Sequence, residues 1–420
     1  MVIIRKLIIL NVDKQCTYER GVNLSKVVFL NIPSFGHNHR TLAIVKELID
    51  RGEEVVYYSY DRFEDKLKNL GATYKTIYST TLHDIKEEKL VEFPILANAL
   101  MTRTKSVLEP LLLEIKEEKP DYIIHDSLAA WGKYIGKILN IPTICSTTTF
   151  LFDKKSMSIS KTFISLIPQI INGDYKYFLN ASKIQKELAK KYKFKKFPLQ
   201  DVFTNTESLN IIYTSRYFQP RGEEFNDEYI FVGPCFLEEK EVSDIIFENI
   251  KNKIIYITFG TILFNNKDFF EKCFDAFKDM DVTVILSVGE KIDINSLNSI
   301  PKNFIVRNHV PQLEVLKRAD LMISHGGMNS IQEALYYKVP SLIFPQQKEQ
   351  LIIGARIEKL GCGYSFNEFS SESLRELSEK ILKDENIKNN CIKASESLIA
   401  AGGYKKAVDE IFKFKTINII

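Results

Sequence analysis

Several protein classes are excluded by what this sequence lacks. No apolar run approaches the roughly 20 residues that a membrane-crossing helix needs. Neither sign of charge is in excess: 57 Lys and Arg stand against 54 Asp and Glu, a net +3, whereas a dedicated nucleic-acid binder carries a large basic surplus. Cysteine is sparse and scattered. The six residues Cys16, Cys145, Cys235, Cys273, Cys362 and Cys391 form no CxxC pair, which excludes a disulfide scaffold and a structural zinc site and reads as reduced thiols of a cytoplasmic protein. There is no Walker A sequence and no GxSxG elbow, and Gly361-Cys-Gly363 fails as GxGxxG because position 366 is Phe. Met1–Ser25 has short apolar patches broken by Arg5 and Lys6, without the core of a signal peptide, and is expected to be a loosely attached extension.

What is present is an ordinary globular balance, 45% hydrophobic and 26% charged over 420 residues, enough for two or three domains. Lys26–Ile32 is a continuous apolar run, as expected of a strand covered on both faces. A loop at 33–39 follows, then a helical stripe over Thr41–Arg51 stopped at Gly52, then a strand from Val55. Strand signals recur at Tyr122–His125, Thr143–Ser146, Leu209–Tyr213 and Tyr229–Val232, with a helix at Ala129–Leu139. The charged stretch Glu238–Asp244 breaks the rhythm. Alternation then restarts: strands at Ile254–Phe259, Val282–Ser287, Phe304–Arg307, Leu321–Ser324 and Ser341–Phe344 interleave with helices, and two helices near Ser371–Leu382 and Ile387–Ala400 lead to a tail. This is the pattern of two doubly wound α/β domains, whose ligands bind beyond the carboxyl ends of the strands.

Two constellations lie in such loops. Ser324-His-Gly-Gly327 ends a buried strand and opens a helix. Its glycines admit close backbone approach, and a helix N-terminus attracts phosphate. His325 stands beside this position, and Glu333, one turn deeper, is placed to accept hydrogen bonds from a ribose. A plain strand–helix turn with a solvated Glu is the competing account. The second constellation is His37, after the first strand, with Asp126, after the strand at Tyr122–His125. Parallel strands put both on one edge, where imidazole can act as a general base and the carboxylate can orient it; a capping Asp and a satisfied surface His are the alternative. Asp279-Met-Asp281 reads as a solvated turn rather than a metal motif. Phe93, Met101, Phe150, Phe152 and Phe163 are candidates for an apolar acceptor wall, each equally suited to a core.

The stretches HVPQLEVL (309–316), ISHGGMNS (323–330), IQEAL (331–335), KVPSLIFPQ (338–346) and KEQ (348–350) run in the order and spacing of one family, and FLNIPSFGH, HDSLAAWGK and AGGYKKA also fit. Together they resemble the family 1 glycosyltransferases, the UDP-sugar-using enzymes of GT-B fold, in particular the bacterial macrolide glycosyltransferase branch, whose members also glycosylate flavonoids. The resemblance covers nearly everything from Lys26 onward. It implies two Rossmann-like doubly wound parallel-sheet domains facing across a cleft: an acceptor-binding domain at 26–235, a linker at 236–250, a UDP-sugar-binding domain at 251–398, and a C-terminal segment at 399–420 returning to the first domain. It implies that Val310 and Gln312 contact the uracil or its ribose, and that Thr261 and His325 contact the diphosphate. The backbone around Gly327, Asn329 and Ser330 cradles that group, Glu333 holds the ribose, and Glu349 and Gln350 bind the sugar. His37 and Asp126 match the family's catalytic dyad. Plant members have Trp where this chain has His309 and Met328, so base stacking differs here. The expectation is a cytoplasmic, metal-independent, inverting transfer of a hexosyl group, glucose first, from a UDP-sugar to a hydroxyl of a small lipophilic acceptor, with neither nucleic acid nor stable membrane association. A sugar-nucleotide epimerase of similar fold and a non-catalytic sugar-nucleotide or antibiotic binder are the competing readings.

Overall fold

The computed structural model describes residues 25–59, 61–77, 93–151, 175–237, 244–245, 247–259, 267–290, 292–297, 299–366 and 368–419. Two all-parallel sheets organise them. The first comprises Lys26–Leu30 (β1), Glu54–Ser59 (β2), Thr73–Thr76 (β3), Tyr122–Asp126 (β4), Thr143–Thr147 (β5), Asn210–Ile212 (β6) and Tyr229–Phe231 (β7), in the order β3-β2-β1-β4-β5-β6-β7. The second comprises Lys253–Thr258 (β8), Val282–Ser287 (β9), Phe304–Arg307 (β10), Leu321–Ser324 (β11), Ser341–Ile343 (β12) and Gly363–Ser365 (β13), in the order β10-β9-β8-β11-β12-β13. In each sheet the winding reverses beside the first strand, between β1 and β4 and between β8 and β11. That reversal opens a crevice at the carboxyl edge, where doubly wound sheets take ligands.

Burial explains the apolar runs. Along β1, Val27 and Phe29 enter a core with Leu42, Val45 and Leu48 of the helix Phe35–Asp50 (α1), while Val28 and Leu30 enter another beneath the opposite face. Side chains alternate across a strand, so a strand covered on both sides is apolar at every position. The helices Glu64–Asn69 (α2), Phe93–Glu118 (α3), Ala130–Leu139 (α4) and Tyr175–Lys191 (α5) complete the described helices of the first lobe. The second lobe adds Lys267–Phe277 (α6), Gln312–Leu316 (α7), Met328–Tyr336 (α8), Lys348–Leu360 (α9), Ser371–Lys383 (α10) and Glu385–Ala400 (α11).

The C-terminal tail is itself a helix, Gly403–Asn418 (α12). Its Ala407, Val408, Ile411 and Phe414 join the first-lobe core beside α1. Arg51 of the first lobe pairs with Asp409 at 2.6 Å, and the buried Lys415 amine pairs with Glu53, which also accepts a 2.8 Å hydrogen bond from the Tyr122 hydroxyl.

The expected loop at 33–39 is mostly helix, since α1 begins at Phe35. Its first turn is held by polar contacts that a search for apolar periodicity passes over. Asn38 Nδ2 donates to the carbonyls of Ile32 and Ser34 at 2.8 Å, and its Oδ1 accepts from Ser59 Oγ at 2.6 Å. The extension 1–24 and most of the charged stretch at 238–243 lie outside the described residues. Just beyond that stretch, Asp244 pairs with Arg307 at 2.8 Å and Ile245 is buried in the second-lobe core. Among the described residues no helix is long and apolar enough to cross a membrane.

Candidate active site

The two residues after the first sheet's reversal point meet. His37 stands in the first turn of α1, and Asp126 closes β4, whose His125 is in register with Leu30 of β1. Their contact, His37 Nδ1 to Asp126 Oδ2, is 2.7 Å. Asp126 is fully buried, and its other oxygen accepts the backbone N–H of Leu128 at 2.8 Å, so the carboxylate cannot rotate away. The imidazole keeps 12% of its surface exposed. Burial alone would lower its pKa, but the charge and hydrogen bond of Asp126, helped by Glu349, outweigh burial and the opposing Arg40 and hold it above the ordinary imidazole value. With Nδ1 engaged by Asp126, Nε2 is the nitrogen left for proton transfer. Thr148 Oγ1, 2.9 Å from Nδ1, is a third member that the sequence did not reveal. The neighbouring His125 faces the interior, 3.2 Å from Glu207.

The second lobe presents a helix N-terminus at its own reversal point. Gly327 stands at the N-cap of α8, and among the described residues no side chain is recorded capping the helix's first N–H groups. Gly326 has φ of +86°, and a Cβ there would lie 2.6 Å from the Ile343 side chain. A Cβ on Gly327 would lie 2.8 Å from His325 Nε2, so the imidazole and the helix start fit together only around glycine. His325 Nδ1 is buried with no hydrogen-bond partner, and burial depresses its pKa to about 4. An uncharged ring therefore stands at the uncapped helix end with a hydrogen-bonding atom unused. Helix N-termini with exposed N–H groups favour negatively charged groups.

Around it, the side chain of Gln312 donates to Glu333 Oε2 at 2.6 Å and to Ser330 Oγ at 3.2 Å, and its oxygen accepts from the Tyr256 hydroxyl at 3.2 Å. Glu333 is buried, which pushes its carboxyl upward against the pull of Arg40 and Gln312. Val310 turns its side chain into the second-lobe core, leaving only its backbone for a ligand. Glu349 is solvent-accessible, yet the walls of the cleft desolvate it enough to raise its carboxyl, with His37 opposing. Gln350 is buried, and its amide oxygen caps its own helix by accepting from the backbone of Gln346 and Gln347 at 2.7 and 3.0 Å. Its oxygen is thus already engaged, and the amide NH2 is what it can offer a ligand. Thr261 lies outside the described residues, as do Phe152, Phe163 and the Phe93 side chain. Met101 and Phe150 are core residues rather than an open wall, Phe150 packing on Phe218 at 5.3 Å between ring centres.

Asn329 and Arg40 join the two constellations. Asn329, expected in the diphosphate cradle, directs its side chain across to the first lobe: Nδ2 donates to the Gly36 carbonyl at 3.0 Å, and Oδ1 accepts from Arg40 Nε. Arg40, only 2% exposed, also donates to the carbonyls of Tyr213 at 3.1 Å and Met328 at 3.2 Å. Motif reading missed Arg40 because its acceptors come from β6's end and α8, remote in sequence.

Comparison with known proteins finds likenesses at three levels. Residues 271–411 fit the family "Erythromycin biosynthesis protein CIII-like, C-terminal domain". A Bacillus subtilis protein described as the uncharacterized UDP-glucosyltransferase YojK is 32% identical over 404 residues, covering 93% of this chain and 97% of that protein. The NDP-glycosyltransferase YjiC of the same organism is 32% identical over 392 residues, covering 92% and 97%. Among solved structures, the glycosyltransferase of kitacinnamycin superposes with a TM-score of 0.81 at 22% identity, covering 93% of this chain and 98% of its own, and shares the two-sheet GT-B fold.

Proposed function

The chain belongs to the family 1 glycosyltransferases of macrolide type, enzymes that use nucleotide sugars, and from that premise we propose that it transfers a hexosyl group, glucose first, from a UDP-sugar to a hydroxyl of a small lipophilic acceptor with inversion. The observation that carries this reading is the 2.7 Å contact of His37 with a fully buried Asp126, together with the hydrogen bond that Asn329, at the start of α8, donates to the carbonyl of Gly36, the residue before His37. A base and an anion-binding helix end are thereby within one hydrogen-bonded unit.

In the proposed reaction His37 Nε2 takes the acceptor's hydroxyl proton. The oxygen attacks the anomeric carbon in line, forming the new C–O bond while the bond to the diphosphate oxygen breaks and UDP departs. Asp126 fixes the ring's tautomer and stabilises the imidazolium. The N–H groups opening α8 and the neutral His325 ring receive the charge that develops on UDP, an arrangement that needs no reorganisation at the moment of reaction. Glu333 and Gln312 take the ribose, exchanging their mutual hydrogen bond for bonds to its hydroxyls, and the backbone at Val310 meets the base. Glu349 and the NH2 of Gln350 take the sugar, while Thr261 is assigned to the diphosphate on the resemblance alone. No metal is assigned a role, and turnover undiminished by chelator is the expected result. In the same reading the first lobe (26–235, with 399–420 returning to it) holds the acceptor and the second (251–398, after the 236–250 linker) holds the donor. The deciding experiment is His37→Ala assayed with several UDP-sugars against polyphenol and macrolide acceptors: turnover within a few fold of wild type would overturn the base assignment.

A further inference from the structure

Four cationic side chains are buried among the described residues: Arg40, Arg103, Lys133 and Lys415. Three of them have acceptors. Arg40 has Asn329 and two carbonyls, Lys133 donates to the Thr206 carbonyl at 2.8 Å, and Lys415 pairs with Glu53. Arg103 differs. It is 3% exposed, its Nε is buried with no hydrogen-bond partner, and no carboxylate among the described residues pairs with it. Burial alone pulls its pKa down to about 10. A guanidinium carries five donors in a rigid fork, and burying its Nε without an acceptor and with no carboxylate beside it is costly enough that native interiors rarely do so without a reason.

Its surroundings supply the reason. The Arg103 guanidinium lies over the face of the Trp131 ring, 5.6 Å from its centre, on the seam between α3 and α4, a cation–π contact that offsets part of its burial but accepts none of its in-plane N–H groups. Trp131 is fully buried, and its indole N–H has no partner either. The hydroxyl of Ser127, in the turn between Asp126 and α4, is buried and unpartnered as well. The position along the fold is informative. The chain leaves α3 at Glu118 to enter β4 at Tyr122, so α3 rises from the amino edge of the sheet. At 1.5 Å per residue, Arg103 stands about 22 Å up that helix, beyond a five-residue strand of roughly 17 Å. That puts the orphaned donors at the carboxyl edge, on the lobe that carries His37.

We infer that Arg103, with the Trp131 indole N–H and the Ser127 hydroxyl, forms an acceptor subsite for a carboxylate borne by the same molecule whose hydroxyl is presented to His37. A carboxylate matches the planar fork of guanidinium through two parallel hydrogen bonds. A phosphate dianion would bring more charge than the single cation here offsets. The inference rests on the transferase reading above and narrows its acceptor from lipophilic alcohols in general to hydroxylated organic acids.

The test pairs each acid with its neutral ester. Para-hydroxybenzoate, para-coumarate and a hydroxylated long-chain fatty acid, each alongside its methyl ester, span three separations between hydroxyl and carboxylate. The full-length protein with UDP-glucose is expected to prefer at least one acid over its ester by tenfold or more in kcat/KM. In Arg103→Gln that acid-to-ester ratio should fall at least tenfold, chiefly through the acid's KM, and Arg103→Lys should restore part of it. Because both acceptors are measured on the same variant, any loss of folded enzyme cancels in the ratio. Equal use of acid and ester by wild type, or a ratio unmoved in Arg103→Gln, would overturn the subsite. Transfer to neutral phenols but to no acid would overturn it too, while leaving the transferase reading intact. UDP-sugars that give no transfer to any acceptor would remove both.

Discussion

The front and rear lobes share one strand order, and in each the residues of interest flank the strand beside the reversal point. The front lobe brings His37 to Asp126 across 89 positions of sequence, whereas the rear lobe draws most of its candidate residues from the single run 309–350. Their two imidazoles are also tuned in opposite directions. His37 is held above its ordinary value by a buried carboxylate, and His325 is pushed down to about 4 by burial with no charge beside it. The same backbone architecture therefore carries, in the proposed reaction, a proton acceptor in one lobe and an uncharged donor at a helix end in the other. A buried counter-ion makes the difference.

The largest expected break in this comparison comes from the front lobe alone. His37→Ala should lower kcat for transfer by about a thousandfold while UDP affinity, measured by calorimetry, stays near wild type; a matching loss of UDP affinity would mean that the lobes do not divide the work. Next, His325→Ala should cost about a hundredfold in kcat/KM, with UDP binding weakened, the reverse signature. Arg40→Gln tests the connection between the lobes and should lower kcat by about tenfold. Arg40's charge opposes protonation of His37, so its loss should move the acid limb of the pH–rate profile to higher pH. Asp126→Asn should move that limb to lower pH. A profile unmoved by either change would make the first link merely structural and the second irrelevant to the base.

The smallest expected effect is on stability. His37's folded value is raised, so its pairing with Asp126 stabilises fully below the unfolded imidazole value of about 6.5 and is lost as pH rises through the folded value. The gap in unfolding free energy between wild type and His37→Ala should shrink over that window. His325 works in reverse: its folded value is lowered, and stability should drain as pH falls from the ordinary imidazole value toward about 4. Denaturant titrations across pH check both signs, and parallel curves would contradict the pairing.

Legibility in the sequence followed the range of the interactions. The apolar runs at β1, β4, β8 and β11 were plain, because a strand covered on both faces has no polar position. The Gly326-Gly327 turn and His325 were plain because strand end, turn and helix start are contiguous. The first turn of α1 carries no helical signal because Asn38, reaching the carbonyls of Ile32 and Ser34 and the Ser59 hydroxyl, holds it in place of apolar spacing. The resemblance gives Gln350 to a sugar, whereas its oxygen caps α9. Glutamine serves both tasks with the same atoms, and its spacing does not tell them apart. Arg40 and Arg103 were both invisible as buried cations, since each sits in a stretch where charge normally faces solvent.

Local chemistry written into the chain was enough to fix the alternation of strands and helices, the glycine-started helix and the residue types able to hold a diphosphate or accept a proton. Backbone geometry and hydrophobic periodicity act over a few residues and need no partner from elsewhere. Folding alone decided that Asp126 would be locked behind His37, that Arg40 would tie α1 to α8, that α12 would return to the first sheet, and that Arg103 would be left without a counter-ion. Each of those outcomes depends on desolvation and hydrogen bonds between segments far apart in sequence, which exist only once the sheets have closed over them.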